Sequence, residues 1–284
     1  MVLANSACGG LAEPVDPYHC SADYCVGGEA TGVAYGNFAP SSVDLLIVID
    51  DAVPSGAGSA PLAQGLREMI ANLADFMANG AWGLDLSVAI TRAAPPNDSS
   101  PSDLWPVDPT CAQPKGPFLH ATQVCDVASN FAGDLSEAVA CAATHMMPSG
   151  APPRPMDAVH AALAPASGFR RAGASLFVVV VSSQDDPGLL GADQRAAQHD
   201  FLASMVGDPA VGLTLGIVAP ASAVGLSSFV GYFDGNAAFS RLEDSTWPAI
   251  ASTTNDFGWH EWWPACLDWP VVDADPATDG LQPP

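Results

Sequence analysis

The sequence predicts an α/β protein with a mostly parallel central sheet covered by helices on both faces, and three observations carry that prediction. Val43 to Ile49 and Ser175 to Val181 are near-continuous runs of branched apolar residues. A strand with one wet face would alternate, so runs of this kind suit strands buried on both sides. Both runs end in acids: Asp50-Asp51 after the first, and Asp185-Asp186 a few residues beyond the second. Between them, Leu62, Leu66, Met69, Ile70, Leu73, Phe76 and Met77 recur at helical spacing, which places one long amphipathic helix directly after the first strand.

The remaining elements follow in chain order. Ala52 to Ala60 is a loop rich in Ser, Gly and Pro, with Ser59 as N-cap, Pro61 as the first helical residue and Asn79-Gly80 as the stop. Leu84 to Thr91 alternates and reads as a second strand. Ala93 to Val124 is dense in Pro, Asp and Ser and reads as a long loop, which in a compact domain calls for a function or a cross-link. Phe131 to Met147 and a segment starting near Arg154-Pro155 read as helices, and Asp193 to Met205 as another. Val211 to Val218 reads as a strand, and Ala237 to Ile250 as the last main helix. Trp259, Trp262, Trp263 and Trp269 lie among acids beyond it. An aromatic segment folding back on the core is a commoner use of such residues than a sugar platform.

Residues 1–40 carry three cysteines and many chain breakers, so they are expected to form an irregular, disulfide-tied extension. Residues 41–270 are expected to form the domain, and 271–284, polar and Pro-rich, a disordered tail. With 284 residues, 49% of them hydrophobic, the chain can build a substantial core. No stretch is long and apolar enough for a transmembrane helix.

Eight Lys and Arg face 31 Asp and Glu, for a formal charge of −23. Such a surface repels phosphate backbones and anionic membranes, which excludes nucleic acid as an expected partner. Seven cysteines fall mainly in Pro/Gly-rich segments, a distribution that favours disulfides and an extracytoplasmic, oxidising compartment. Cys20, Cys25, Cys111, Cys125, Cys141 and Cys266 are the disulfide candidates, and six cysteines allow 15 pairings. Cys20 with Cys25 and Cys111 with Cys125 would close short loops. Cys8 follows Leu3-Ala4-Asn5-Ser6-Ala7. Small residues before a cysteine resemble the end of a bacterial lipoprotein signal, which makes Cys8 a candidate for lipidation and a lipid anchor.

The order of elements from Val43 to Trp269, with Gly168-Phe169-Arg170-Arg171 leading into the second apolar strand and Val181-Ser182-Ser183-Gln184-Asp185-Asp186 leaving it, resembles the von Willebrand factor A domain. It looks most like secreted or lipid-anchored bacterial proteins of that type. The resemblance implies a doubly wound sheet, protein partners and a metal-ion-dependent adhesion site. That site takes Asp-x-Ser-x-Ser after the first strand, a mid-chain threonine and a late aspartate, hard oxygen ligands suited to calcium or magnesium. Here the first motif reads Asp50-Asp51-Ala52-Val53-Pro54, so both hydroxyls are missing. Ser183 stands where the late aspartate is expected, and Ser149 is the nearest hydroxyl in the mid-chain loop. The site is therefore degenerate in sequence. Either it is lost, or Asp50, Asp51, Ser149, Asp185 and Asp186 hold calcium or magnesium in a modified arrangement. Clustered carboxylates repel one another unless something compensates them, which gives the second option its motive.

Catalytic readings meet specific obstacles. Phosphoryl transfer through a strand-end aspartate wants a late lysine, and Lys115 is the only lysine in the chain. Neither Gly-x-Ser-x-Gly nor a phosphate-cradling Gly-x-x-x-x-Gly-Lys occurs. His260-Glu261 lacks the second histidine of a zinc-protease helix, and His19, His120, His145, His160 and His199 show no ligand spacing along the chain. The expectation is an extracytoplasmic, non-catalytic protein-binding or structural module. The alternative is a metal-assisted hydrolase that activates water on a cation held by the same acids.

Overall fold

The computed structural model describes residues 42–50, 52–53, 59–79, 85–93, 109–112, 116–122, 128–146, 152–206, 209–233 and 236–242. The elements are β1 (Val43–Ile49), α1 (Ser59–Asn79), β2 (Asp85–Arg92), the single turn α2 (Pro109–Ala112), β3 (Leu119–Thr122), β4 (Ala128–Ser129) and α3 (Leu135–Thr144). They continue through α4 (Pro155–Leu163), β5 (Ser175–Val181), α5 (Ala192–Ala203), the turn α6 (Pro209–Gly212), β6 (Leu213–Ala219), α7 (Val224–Phe229) and β7 (Ala237–Arg241). The expected extension at 1–40, the tail at 271–284 and the tryptophan-rich segment lie outside the described residues.

The seven strands form one sheet in the order β4-β3-β2-β1-β5-β6-β7. β1 pairs in parallel with both β2 and β5, β5 with β6, and β6 with β7, while β3 runs antiparallel to β2 and to β4. This is an α/β doubly wound sheet: the chain grows outward from β1 in one direction, then crosses over to β5 and grows in the other. β1, β5 and β6 are buried along their full length, the reason their sequences do not alternate.

The two sides of β1 feed two cores. Val43, Leu45, Ile47 and Ile49 pack with Leu66, Met69, Ile70 and Leu73 of α1 and with Leu135, Val139 and Ala142 of α3. Leu46 and Val48 pack with Met156, Val159 and Leu163 of α4, Leu202 of α5, and Leu226 and Phe229 of α7. Fully burying one such side chain contributes roughly 1.5–3 kcal/mol; α1, α3 and α4 are each held by several such residues, whereas α5 has Leu202 as its one fully buried anchor.

Local chemistry sets the boundaries. Asp134 caps α3, its carboxylate accepting the Glu137 N–H at 3.1 Å, and Pro155 opens α4 where a missing N–H costs nothing. Gly168, at φ +66°, closes the short 3-10 turn Pro165–Ser167 in the left-handed region that a side chain disfavours.

Several sequence expectations are corrected. The loop expected over Ala93 to Val124 contains α2 and β3. β3 has only four residues and alternates in burial, too short a pattern to stand out against its Pro-rich surroundings. Ala237 to Arg241, expected within a helix, is the edge strand β7: register with Leu215 to Ala219 prevails over the helix preference of Ala-Ala-Phe. The helix expected over Phe131 to Met147 is confined to α3 by its Asp134 cap and its end at His145. α7 had no expectation at all, because six residues span less than two turns of periodicity.

Candidate functional site

The topological switch point lies between β1 and β5, and the residues leaving those strands sit where such sheets place ligands. Asp50 is buried there, 1% exposed. Its Oδ1 accepts the Ala52 N–H at 3.0 Å, and its backbone oxygen accepts the Val53 N–H at 2.9 Å, an Asx-type turn directly after β1. Its Oδ2 accepts the Ser183 N–H at 3.0 Å and the Ser183 hydroxyl. Both oxygens are thus bonded within the protein, and Ser183, the residue aligned with the family's late aspartate, donates to Asp50.

The two acids after β5 diverge. Asp185 turns to the start of α7, its oxygens accepting Gly225 N–H at 2.8 Å and Leu226 N–H at 3.0 Å. The approach is close: a Cβ on Gly225 would lie 2.9 Å from the Asp185 carboxylate and 3.1 Å from the Leu189 carbonyl oxygen, so glycine is required. Asp186, 1% exposed, turns to α4, accepting the N–H of Met156 at 2.8 Å and of Gly188 at 2.7 Å. Burial raises the Asp186 pKa above the ordinary carboxylate range, the N–H groups of Met156 and Gly188 pull it back, and Asp157 and Asp185 add repulsion. Among the described residues, Asp50, Asp185 and Asp186 do not bring three ligand atoms within 4.8 Å of one another. The other two expected ligands, Asp51 and Ser149, lie outside the described residues.

A second polar centre, not anticipated from sequence, occupies the opposite ends of the same strands. Asp44 is fully buried in β1. Arg170 Nη1 donates to it at 2.5 Å, Arg171 Nε at 2.7 Å and the Arg171 backbone N–H at 2.8 Å. Arg171 also donates to Asp85 at 2.8 Å and to the Val43 carbonyl at 2.9 Å. Arg170 Nη2 reaches the carbonyls of Ala174 at 2.5 Å and Met205 at 3.0 Å. Burial opposes the Arg171 charge, but Asp44 and Asp85 more than offset it, so its pKa is held above the ordinary value. His120 on β3 completes the centre, with Nδ1 2.9 Å from the Ser87 hydroxyl and Nε2 3.6 Å from Asp85. Burial lowers the His120 pKa, with Asp85 pulling it up and Arg171 pushing it down. Two of only eight basic residues are committed here. The sequence signal was an aspartate inside a strand otherwise apolar from end to end, since such a charge has to be paired.

Among the cysteines, Cys111 on α2 is bonded to Cys141 on α3, across a separation of 30 residues. The short-loop pairing of Cys111 with Cys125 is therefore replaced. The tie joins a helical turn in the long connection to a helix of the main layer, which a count of intervening residues cannot reveal. Cys8, Cys20, Cys25, Cys125 and Cys266 lie outside the described residues. Among those described, no helix is long and apolar enough to cross a membrane.

No protein-family model and no curated protein matches the chain. Among solved structures, the SpRpn10 VWA domain is similar at 8% identity and a TM-score of 0.41, covering 76% of this chain and 94% of that one. Proximal thread matrix protein 1 from the mussel byssus is similar at 11% identity and a TM-score of 0.41, covering 77% of this chain; this chain spans about half of the mussel protein, 48%. A likeness at that level carries no statement about role.

Proposed function

We propose that the chain is a von Willebrand factor A-like module that acts outside the cytoplasm by binding a protein partner or supporting a structure, without catalysis and without the usual metal site of that family. The observation that carries this reading is the commitment of the strand-end acids. Asp50, Asp185 and Asp186 spend their oxygens on backbone N–H groups at three different places, so the compensation that a cation would supply to clustered carboxylates is supplied by the fold. Three further features support it. The doubly wound order with β3 antiparallel agrees with the resemblance read from the element order. Ala52 and Pro54 stand where that family carries hydroxyl ligands. The Cys111–Cys141 disulfide fits an oxidising compartment, in which Cys8 is the candidate for lipid attachment. Leu190 and Val224, 65% and 63% exposed, flank the Asp185-Asp186 loop and suit an apolar contact with a protein.

The test is calorimetric titration of the chelator-treated, oxidised chain with calcium, magnesium and manganese, beside Asp50→Ala. No heat from any of the three, and a melting temperature indifferent to chelator, is the expected result. Binding that disappears in Asp50→Ala would overturn the metal-free reading in favour of a modified site built with Asp51. Hydrolytic turnover dependent on that ion would favour the metal-assisted hydrolase.

A further inference from the structure

Cys111, Cys141 and His145 form the group of ligand-type side chains that the described residues bring together, with one sulfur or nitrogen from each inside a 4.8 Å span. None of the three is among the hydrogen-bond partners of Asp50, Asp185 or Asp186 described above, so the metal-free reading of those acids does not depend on them. His145 follows α3 as its C-cap, one helical turn beyond Cys141, so the two side chains share a face. Nδ1 of His145 is 3.6 Å from Sγ of Cys141 and 3.7 Å from Sγ of Cys111.

Those separations have a chemical meaning. In tetrahedral zinc coordination, with Zn–S about 2.3 Å and Zn–N about 2.0–2.1 Å, the edge between a sulfur and a nitrogen ligand is about 3.5 Å. The imidazole nitrogen therefore already stands at ligand-edge distance from both sulfurs. What prevents coordination in the oxidised chain is the bond between the sulfurs. The Cα atoms are 5.5 Å apart, and two thiolates can separate from there by side-chain rotation. The cysteines are partly buried and His145 is exposed, which leaves an approach from solvent and a fourth position for water.

We propose that reduction converts this disulfide into a Cys2His site for zinc or a similar thiophilic divalent cation. A dithiol reductant takes the two sulfurs to thiols by exchange and leaves as its own disulfide; the metal then displaces one proton from each thiol and takes the imidazole as third ligand. In the oxidised chain Nδ1 donates to the Cys141 carbonyl at 2.8 Å. Losing that bond does not orphan the carbonyl, which also accepts the His145 backbone N–H and the Thr144 hydroxyl, each at 3.0 Å. The site is thus a redox-gated exchange: a covalent tie between α2 and α3 is replaced by a coordinate one at the same place.

The experiment uses the 284-residue chain with Cys8, Cys20, Cys25, Cys125 and Cys266 changed to serine, so that the remaining thiols are Cys111 and Cys141. The chain is reduced anaerobically with a water-soluble phosphine, treated with chelator, and titrated with cobalt(II) and then zinc. The expected result is one cobalt per chain, with a thiolate charge-transfer band and the strong visible absorption of tetrahedral cobalt, both displaced by zinc. The oxidised chain shows neither. His145→Ala removes a direct ligand and weakens zinc binding by more than the roughly tenfold that loss of an outer-shell partner costs. If the five-serine chain does not fold, the same comparison is made on the reduced native sequence, where His145→Ala and Cys141→Ser should each remove one equivalent of tightly held zinc. Absence of the thiolate band on reduction, or zinc binding indifferent to His145→Ala, would overturn the proposal.

Discussion

The Asp50 carboxylate at the end of β1 accepts both the backbone N–H and the hydroxyl of Ser183 beyond β5, so the two central strands are pinned together at the point where the sheet changes direction. Charged acceptors strengthen such bonds, to about 1.5–3 kcal/mol each. Asp50→Ala should therefore destabilise the oxidised chain by about 3 kcal/mol or more in urea unfolding. Ser183→Ala, which keeps the N–H and removes only the hydroxyl bond to the carboxylate, should cost about 1.5–3 kcal/mol. Equal losses from the two would show that the backbone bonds from Ser183 and Ala52 contribute nothing.

The buried network around Asp44 makes a sharper prediction. Removing one partner of a buried ion pair leaves the other charged and uncompensated, at a cost of about 3–5 kcal/mol. Asp44→Ala strands parts of two guanidinium groups at once and should fall in or above that range, as judged by the denaturation midpoint. Arg171→Lys keeps the charge and should still lose stability, because an ammonium cannot reach Asp44, Asp85 and the Val43 carbonyl together as the fork of Arg171 does.

His120 gives the chain a pH dependence with a definite sign. Its pKa is lower in the folded state than the ordinary 6.5, so between the two values the unfolded chain binds more protons. Stability should therefore rise with pH through that window and fall on acidification. Asp186 acts in the opposite sense. Its raised pKa gives the folded chain the extra proton just above the ordinary 3.8, so its contribution is present below 3.8 and is lost as pH rises through the folded value. Urea unfolding across a pH series, with His120→Gln beside the native chain, isolates the first effect. A slope just below pH 6.5 that survives in His120→Gln would assign it to another group.

The disulfide closes a loop across a sequence separation of 30, for which the chain-entropy model gives about 3–4 kcal/mol. Cys141→Ser in the absence of zinc should lose stability of that order. The Asp134 cap of α3 supplies a smaller term: Asp134→Ala should cost about 1 kcal/mol at neutral pH. Bonds from the Ser136 hydroxyl and the Glu137 N–H lower the Asp134 pKa, so its contribution should fade as pH drops through the folded value.

Much of this architecture was legible because burial writes itself into composition. β1 and β5 could be read since no polar residue is needed along a strand covered on both faces, and α1 since it is long enough for its period to show. β3, β7 and α7 were not legible, because four to six residues hold too little pattern and their state is decided by partners remote in sequence, such as Leu215 to Ala219 for β7. The strand-end acids were located correctly as positions, and Asp50, Asp185 and Asp186 do leave the central strands. Their occupations could not be read: which N–H a carboxylate grips depends on where α4 and α7 begin in space. The pairing of Cys141 with Cys111 and the nearness of His145 were hidden for the same reason, although Cys141 on α3 and His145 at its C-cap stand four residues apart.

The short segment from Ser183 to Asp186 has three attachments: to Asp50 at the end of β1, to the start of α7 through Asp185, and to the start of α4 through Asp186. Surface loops ordinarily tolerate added or missing residues. This one cannot, since an insertion between Ser183 and Asp185 would put Ser183 out of register with the two aspartates, and one between the aspartates would part α4 from α7. Length variation in descendants of this chain is therefore expected to avoid these four residues, while substitution at the exposed Gln184 should be readily accepted.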